Sequence, residues 1–219
     1  MELIEAIKNR HSVRQYLDKP IEKEKFNVLE KEINDINKLT GLHIQLVKNE
    51  PEAFDCFAAH YGKFENVTNY IAMIGKKSDK LEELIGYYGE KLVIKATILG
   101  LNSCWVAMSY RKIPAAFKLD KGEKLIIVIA LGYGRNNGAN HKIKTIEQVS
   151  NANEDTPKWF NDGVNIALLA PTAMNQQKFK LIYNSDGTIT SRSGFGFYTK
   201  IDLGIAKYHF EVGSGKKII

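Results

Sequence analysis

The chain has 219 residues, of which 44% are hydrophobic and 26% charged, and its ten Phe and ten Tyr can supply a substantial core. No apolar run is long enough for a membrane span, and the first residues lack the order of a secretory signal, so we expect no membrane partner. Cys56 and Cys104 lie far apart and suggest no disulfide framework, so we expect a protein of the reducing cytoplasm. The net charge of +6 comes from lysines interleaved with glutamates, which favours small anionic ligands over nucleic acid.

Residues 1–140 show helical and strand patterns that alternate along the chain. Apolar residues at helical spacing, or in short β-rich runs, predict the elements in this part. These are helices over 3–9, 20–38, 52–62 and 79–100, and strands over 42–47, 70–75, 104–107 and 125–131. We expect Gly86 and Gly89 to interrupt the helix over 79–100. The run 125–131 has the pattern of a central strand, and a loop follows it over 132–140.

Residues 145–219 repeat this order in a shorter form. A polar connection over 145–156 precedes a helix over 157–169, a polar loop over 171–177, strands over 179–183 and 187–192, and a helix over 198–212. This similarity suggests a tandem duplication with halves 1–150 and 151–219 that form one compact unit. The alternative is that helix, loop and strand follow one another by chance, as they do in most α/β chains.

Polar residues alternate in the run Arg-His-Ser-Val-Arg, which begins at Arg10. If this run is extended, Arg10, Ser12 and Arg14 point to one side, and His11 and Val13 to the other. Two guanidinium groups beside a hydroxyl favour a phosphate, because arginine can bind two of its oxygens at once. The alternative is a pair of solvated arginines on a basic surface.

Four motifs together resemble those of the FMN-dependent nitroreductase family. They are Arg-His-Ser-Val-Arg-Gln-Tyr from Arg10, Leu-Gly-Leu-Asn-Ser-Cys-Trp from Leu99, Leu-Gly-Tyr from Leu131 with the basic residues 141–144, and Ala-Pro-Thr-Ala-Met-Asn-Gln-Gln from Ala170. The resemblance implies an α+β fold in which a central, mostly antiparallel sheet is flanked by helices and the chain has two related halves.

The resemblance also implies a set of cofactor contacts. Arg10, Ser12 and Arg14 would bind the FMN phosphate, and His11 belongs to the same motif although its side chain points away. The other contacts it implies are Ala107 and Met108 near the flavin N5 side, the basic residues Lys142 and Lys144, and the wall residues Pro171, Thr172, Ala173, Asn175 and Gln176. No catalytic side chain and no metal site is expected, because the flavin carries the hydride.

The implied activity is NAD(P)H-dependent reduction of a small-molecule acceptor such as a nitroaromatic or a quinone. The alternative is a protein that binds flavin or another anion without turnover. In the family, the Ala-Pro-Ser loop follows the second helix, whereas here the similar loop begins at Ala170. One chain would then hold both parts of a flavin site, so we expect either a monomeric pseudo-dimer or a homodimer.

Overall fold

The computed structural model describes all 219 residues and contains seven α-helices and six β-strands. The helices are α1 (Leu3–Asn9), α2 (Lys23–Thr40), α3 (Phe57–Tyr61), α4 (Leu81–Ile98), α5 (Ile146–Val149), α6 (Lys158–Ala167) and α7 (Thr199–Ser214). The strands are β1 (Gln45–Val47), β2 (Asn69–Lys76), β3 (Asn102–Val106), β4 (Glu123–Gly132), β5 (Phe179–Tyr183) and β6 (Ile189–Ser193). The mixed architecture of helices and antiparallel sheet that the sequence predicts is confirmed. None of the helices combines the length and the apolar character that a membrane crossing needs.

Strands β1 to β4 form one antiparallel sheet in the order β1-β2-β4-β3. Strand β4 pairs with neighbours on both sides, which confirms the central strand predicted over 125–131. Residues 69–75 of β2 are all buried, so both faces of the sheet are covered here. Strands β5 and β6 form a separate two-stranded antiparallel sheet.

The chain divides into two compact units, which we name by their content. The sheet unit comprises Arg10–Leu81 and Leu92–Ala139, and the helical unit comprises Met1–Asn9, Glu82–Lys91 and Asn140–Ile219. The four-stranded sheet lies in the sheet unit, whereas α6, α7 and the β5–β6 sheet lie in the helical unit. The boundary at residue 150 and the duplication stay predictions.

The prediction that Gly86 and Gly89 interrupt the fourth helix is wrong. Helix α4 is continuous from Leu81 to Ile98. A Cβ on Gly86 would lie 2.1 Å from the Ile201 carbonyl oxygen of α7, and a Cβ on Gly204 would lie 2.1 Å from the Glu83 carbonyl oxygen of α4. These glycines therefore allow the two backbones to pack in contact, which outweighs the low helix propensity of glycine.

The polar connection over 145–156 also differs from the prediction, because it contains helix α5. The Thr145 hydroxyl accepts a bond from the backbone N–H of Gln148, and the Gln148 side chain accepts one from the Thr145 N–H. This reciprocal capping is the signal that a reading of apolar periodicity overlooks, since the helix has a single turn.

Candidate functional site

The arginine segment (residues 10–16) is held by backbone bonds inside the sheet unit. Ser12 pairs with Ser103 of β3 in a parallel bridge, and the Val13 N–H donates to the Ser103 carbonyl at 3.0 Å. Further along, Tyr16 pairs with Gly134, and the Tyr16 N–H donates to the Glu65 carbonyl at 3.1 Å. The segment is therefore extended between these bridges, as the predicted alternation of its side chains requires.

Three polar side chains of this segment lower the pKa of one buried thiol, that of Cys104. Burial raises the pKa of Cys104, while the charge of Arg14, a hydrogen bond with Ser12 and the charge of Arg10 lower it. Arg10 is 5% exposed, whereas Arg14 is exposed and its guanidinium lies 5.9 Å from the centre of the Phe64 ring. The two cations and the hydroxyl thus lie near enough to β3 to affect the pKa of the same thiol, and the exposure of the three residues increases from Arg10 to Arg14.

His11 is half-buried beside a tight turn. Gly138 in this turn has φ +73°, and a Cβ on it would lie 2.6 Å from the His11 Cβ. Only glycine tolerates both this backbone conformation and the close approach. The turn therefore covers His11, whose role as a cofactor contact stays a prediction.

Ala107 and Met108 directly follow β3. Ala107 is half-buried and the Met108 side chain is 77% exposed. Ala107 lies four residues beyond Ser103, which corresponds to about 13 Å along an extended strand. The end of β3 and the arginine segment are therefore far enough apart to contact different parts of an elongated ligand.

The Pro171 loop (residues 171–177) lies in the helical unit and is bonded to residues 142–144. The Lys144 ammonium donates to the carbonyls of Gln176 and Gln177, both at 2.9 Å. The side-chain amides of Asn175 and Gln177 both donate to the Lys142 carbonyl at 2.8 Å. Two of the three Lys144 donors are thus engaged with the loop, and its contact with a phosphate stays a prediction.

The Pro171 loop adopts an uncommon backbone conformation. Met174, Asn175 and Gln177 have positive φ values of 52°, 53° and 45°. Each such residue costs on the order of 1–2 kcal/mol when it is not glycine. The loop therefore depends on the side-chain bonds around it, and its other wall residues, Pro171, Thr172 and Ala173, are half-buried.

Asp202 on α7 is a residue of this region that the sequence interpretation missed. Its carboxylate accepts bonds from the Ala173 N–H at 2.9 Å and from the Gln176 amide at 2.7 Å. The residue is 2% exposed, and burial raises its pKa to about 6, although the bonds from Ala173 and Gln176 lower it. The signal in the sequence is a single aspartate in an apolar helical run, where an unpaired charge would be costly.

Two further features of the sheet unit include none of the candidate cofactor residues among their own members. His43, Asp120 and Glu123 bring their ligand atoms within 4.8 Å of one another, and Asp120 also pairs with Lys118 at 2.9 Å. A cavity of about 360 Å³ is lined by Pro51, Phe54, Asp55, His60, Phe64, Glu65, Asn66, Val67 and Thr68. No candidate cofactor residue lines this cavity.

A protein-family model described as "Putative TM nitroreductase" matches residues 2–214. The chain belongs to this nitroreductase family. The resemblance of the four motifs is thereby confirmed at the level of the family. A comparison with curated protein sequences finds no match.

Solved structures of nitroreductases share the fold of this family member. A Thermotoga maritima protein described as a "putative nitroreductase" is 25% identical, with a TM-score of 0.67 over 97% of this chain and 83% of that one. A Desulfovibrio desulfuricans nitroreductase described as a complex with FMN is 19% identical, with a TM-score of 0.55 over 72% of this chain and 99% of that one. A B. subtilis nitroreductase is 14% identical, with a TM-score of 0.55 over 71% and 74%.

Proposed function

We propose that this nitroreductase is an FMN-dependent NAD(P)H oxidoreductase that transfers two electrons to a nitroaromatic or quinone-type acceptor. The observation that carries the proposal is the convergence of Arg10, Ser12 and Arg14 at the edge of β3. The Desulfovibrio desulfuricans structure with bound FMN supports the choice of cofactor.

The donors of the arginine segment suit a phosphate. A phosphate oxygen accepts short, strong bonds from guanidinium groups, and a hydroxyl adds a further donor. The Arg14 guanidinium is exposed and forms no salt bridge, so an anion can approach it without displacing a carboxylate. Arg10 is almost fully buried, which strengthens its attraction for an anion because water screens it less.

The remaining candidate residues would serve the flavin ring and ribityl chain. Bound FMN would supply the site that accepts a hydride from NAD(P)H and passes it on. The backbone of Ala107 and Met108 would offer donors to the N5 side, and the small residues Pro171, Thr172 and Ala173 would allow close contact with the ring. Contacts from His11, Lys142, Lys144, Asn175 and Gln176 are proposed on the family resemblance.

A titration that compares FMN with riboflavin tests the binding step. The two ligands share the ring system, but riboflavin lacks the phosphate that the arginine segment would hold. We expect FMN to bind at least about tenfold more tightly, because a charge-assisted hydrogen bond typically contributes 1.5–3 kcal/mol. Equal affinities, or no quenching of flavin fluorescence by either ligand, would contradict the proposal.

A second candidate is flavin or anion binding without turnover. It is favoured by Ala107 and Met108, which stand where the family often has glycines, and by the exposure of Met108. NADH and NADPH oxidation with menadione or a nitroaromatic acceptor separates the two candidates. FMN-dependent turnover of roughly ten per second supports the enzyme, and tight FMN binding without turnover supports the second candidate.

The assembly is tested on the FMN-loaded protein by light scattering with simultaneous flavin absorbance. A monomer that carries one FMN supports the pseudo-dimer. A dimer that loses FMN on dilution supports a homodimer in which the two chains share the site.

A further inference from the structure

Asp202 lies where two segments of the helical unit meet the first turn of α7. One is the Pro171 loop, and the other is the Gly194 segment (residues 194–198), which directly precedes α7. We propose that the ionised Asp202 carboxylate is the positioning residue that holds both segments, so that flavin affinity depends on its charge. The link to flavin rests on the proposed function of the Pro171 loop.

The bonds form a continuous path from Asp202 to both segments. One carboxylate oxygen accepts from the Ala173 backbone, and the other accepts from the Gln176 amide nitrogen. The same nitrogen donates to the Phe197 carbonyl at 2.9 Å. Both hydrogens of the Gln176 amide are thus used, one toward α7 and one toward the Gly194 segment.

Packing at Gly196 adds to this connection. A Cβ on Gly196 would lie 3.0 Å from the Gln176 Oε1, and the Lys178 ammonium donates to the Phe195 carbonyl at 3.0 Å. The side chains of Met174, Phe195 and Phe197 are 99%, 98% and 86% exposed, so they contribute almost no burial that would hold the backbone. The polar bonds therefore carry the positioning.

An ionised carboxylate suits this position better than a neutral one. Both Asp202 oxygens face N–H donors, which a carboxylate accepts at either oxygen. Protonation would turn one of these oxygens into a hydroxyl, which is a weaker acceptor, and would remove the negative charge that strengthens both bonds. At least one charge-assisted bond would then be lost.

Three lysines on the surrounding elements are bonded to groups other than Asp202. Lys144 and Lys178 donate to loop carbonyls, and Lys207 of α7 pairs with Glu83 of α4 at 2.6 Å. Lys200, in the first turn of α7, is exposed. Burial and the bonds from Ala173 and Gln176 are the causes that set the Asp202 pKa at about 6. Asp202 therefore changes its charge near pH 6, where the folded protein can be studied.

The main experiment measures FMN affinity between pH 5 and pH 8 for the wild type, Asp202→Asn and the control Asp155→Asn. We expect the wild-type dissociation constant to rise about tenfold as pH falls through about 6, because one charge-assisted bond is lost. Asp202→Asn should show the weaker affinity at every pH, since its amide offers only one acceptor. Asp155 is exposed, and its side chain forms no bond to either segment, so its variant should follow the wild type.

Hydrogen exchange on the FMN-free protein tests the positioning without reference to flavin. We expect two amides to lose protection below about pH 6 in the wild type and at all pH values in Asp202→Asn: that of Ala173, which donates to Asp202, and that of Gly194, which donates to the Lys178 carbonyl at 2.7 Å. Gln176→Ala should lower the protection of the Gly194 amide while the Ala173 amide stays protected, because the Asp202 bond to Ala173 remains.

The outcomes separate the two proposals. Unchanged protection and an unchanged pH profile in Asp202→Asn would overturn the role of Asp202. Absence of FMN binding at every pH, with the expected change in protection, would overturn the flavin function alone. If Asp202→Asn does not fold, the wild-type pH profile and Gln176→Ala decide the question.

Discussion

The arginine segment and the Pro171 loop carry most of the candidate cofactor contacts, yet they are held in opposite ways. Backbone bonds with Ser103, Glu65 and Arg135 hold the arginine segment. Side-chain bonds from Lys144, Gln177 and Asp202 hold the Pro171 loop. A substitution in the first region should therefore change what binds and leave the chain path intact. A substitution among the bonds of the second region should change the chain path itself.

The largest effect is expected for Lys144→Met, which removes the ammonium bonded to two loop carbonyls. Hydrogen bonds to charged groups contribute about 1.5–3 kcal/mol each, so we expect unfolding free energy to fall by about 3 kcal/mol or more. Urea denaturation measures it. Lys158→Met is the control, because the Lys158 ammonium pairs with Asp162 on an exposed helix face and should contribute less than about 1 kcal/mol. Equal losses in the two variants would show that Lys144 does not hold the loop.

The second prediction concerns pH and Asp202. Its carboxyl pKa is about 6 in the folded protein, against an ordinary value of 3.8. The folded state therefore binds more protons between these values, and stability falls as pH rises through this range. The titration of Asp202 should lower the free energy of unfolding by about 3 kcal/mol between the acidic and the neutral end of this range.

Asp202→Asn isolates this contribution. Denaturation at pH 4 and pH 7 gives the free energy of unfolding of both proteins. The value for Asp202→Asn should increase relative to that of the wild type as pH rises. The same carboxylate that positions the loops thus lowers global stability above pH 6, as is common where a site requires a buried charge. A constant difference between the two proteins at both pH values would show that Asp202 titrates normally.

The third prediction addresses the arginine segment. Arg10→Ala and Arg14→Ala should each weaken FMN binding about tenfold or more, with partial recovery in Arg10→Lys, because lysine lacks the two-pronged guanidinium. Arg14→Ala should have an unfolding free energy within about 0.5 kcal/mol of the wild-type value, because backbone bonds hold the segment. Arg192→Ala removes an exposed arginine of the helical unit and is the control for net charge. If it weakens FMN binding as much as Arg14→Ala does, the effect is one of overall charge.

The smallest effect is expected when glycine is introduced into each of the two regions, the Pro171 loop and the arginine segment. Met174→Gly should raise the unfolding free energy by up to about 1 kcal/mol, because the residue is 99% exposed with φ 52° and glycine removes the strain. Arg14→Gly should lower it by about 1 kcal/mol, since the extended backbone there favours a residue with a side chain. Met174→Ala, which keeps the strain, serves as the control. If both glycine variants change the unfolding free energy in the same direction, the Pro171 loop is not strained relative to the extended arginine segment.

Local patterns in the sequence predicted most of the elements of the fold. Strand β5 was predicted with the bounds that the structure has, and the central position of β4 followed from its uninterrupted apolar run. The two errors have different causes. Gly86 was expected to interrupt a helix, but a distant partner, α7, packs against it and the helix continues. Helix α5 is a single turn held by local capping, which apolar periodicity does not detect.

The sequence by itself determined the family, the mixed α+β class and the alternation of Arg10, Ser12 and Arg14. These properties follow from short-range regularities, because a strand places every second side chain on one side whatever lies beyond it. Only the tertiary structure decided that these side chains lower the pKa of the Cys104 thiol, and that Asp202 bonds to Ala173 and Gln176. Asp202 lies 26 residues or more along the chain from these partners, and no periodic pattern relates them. Their contact depends on how α7 packs, and packing is a property of the whole folded unit.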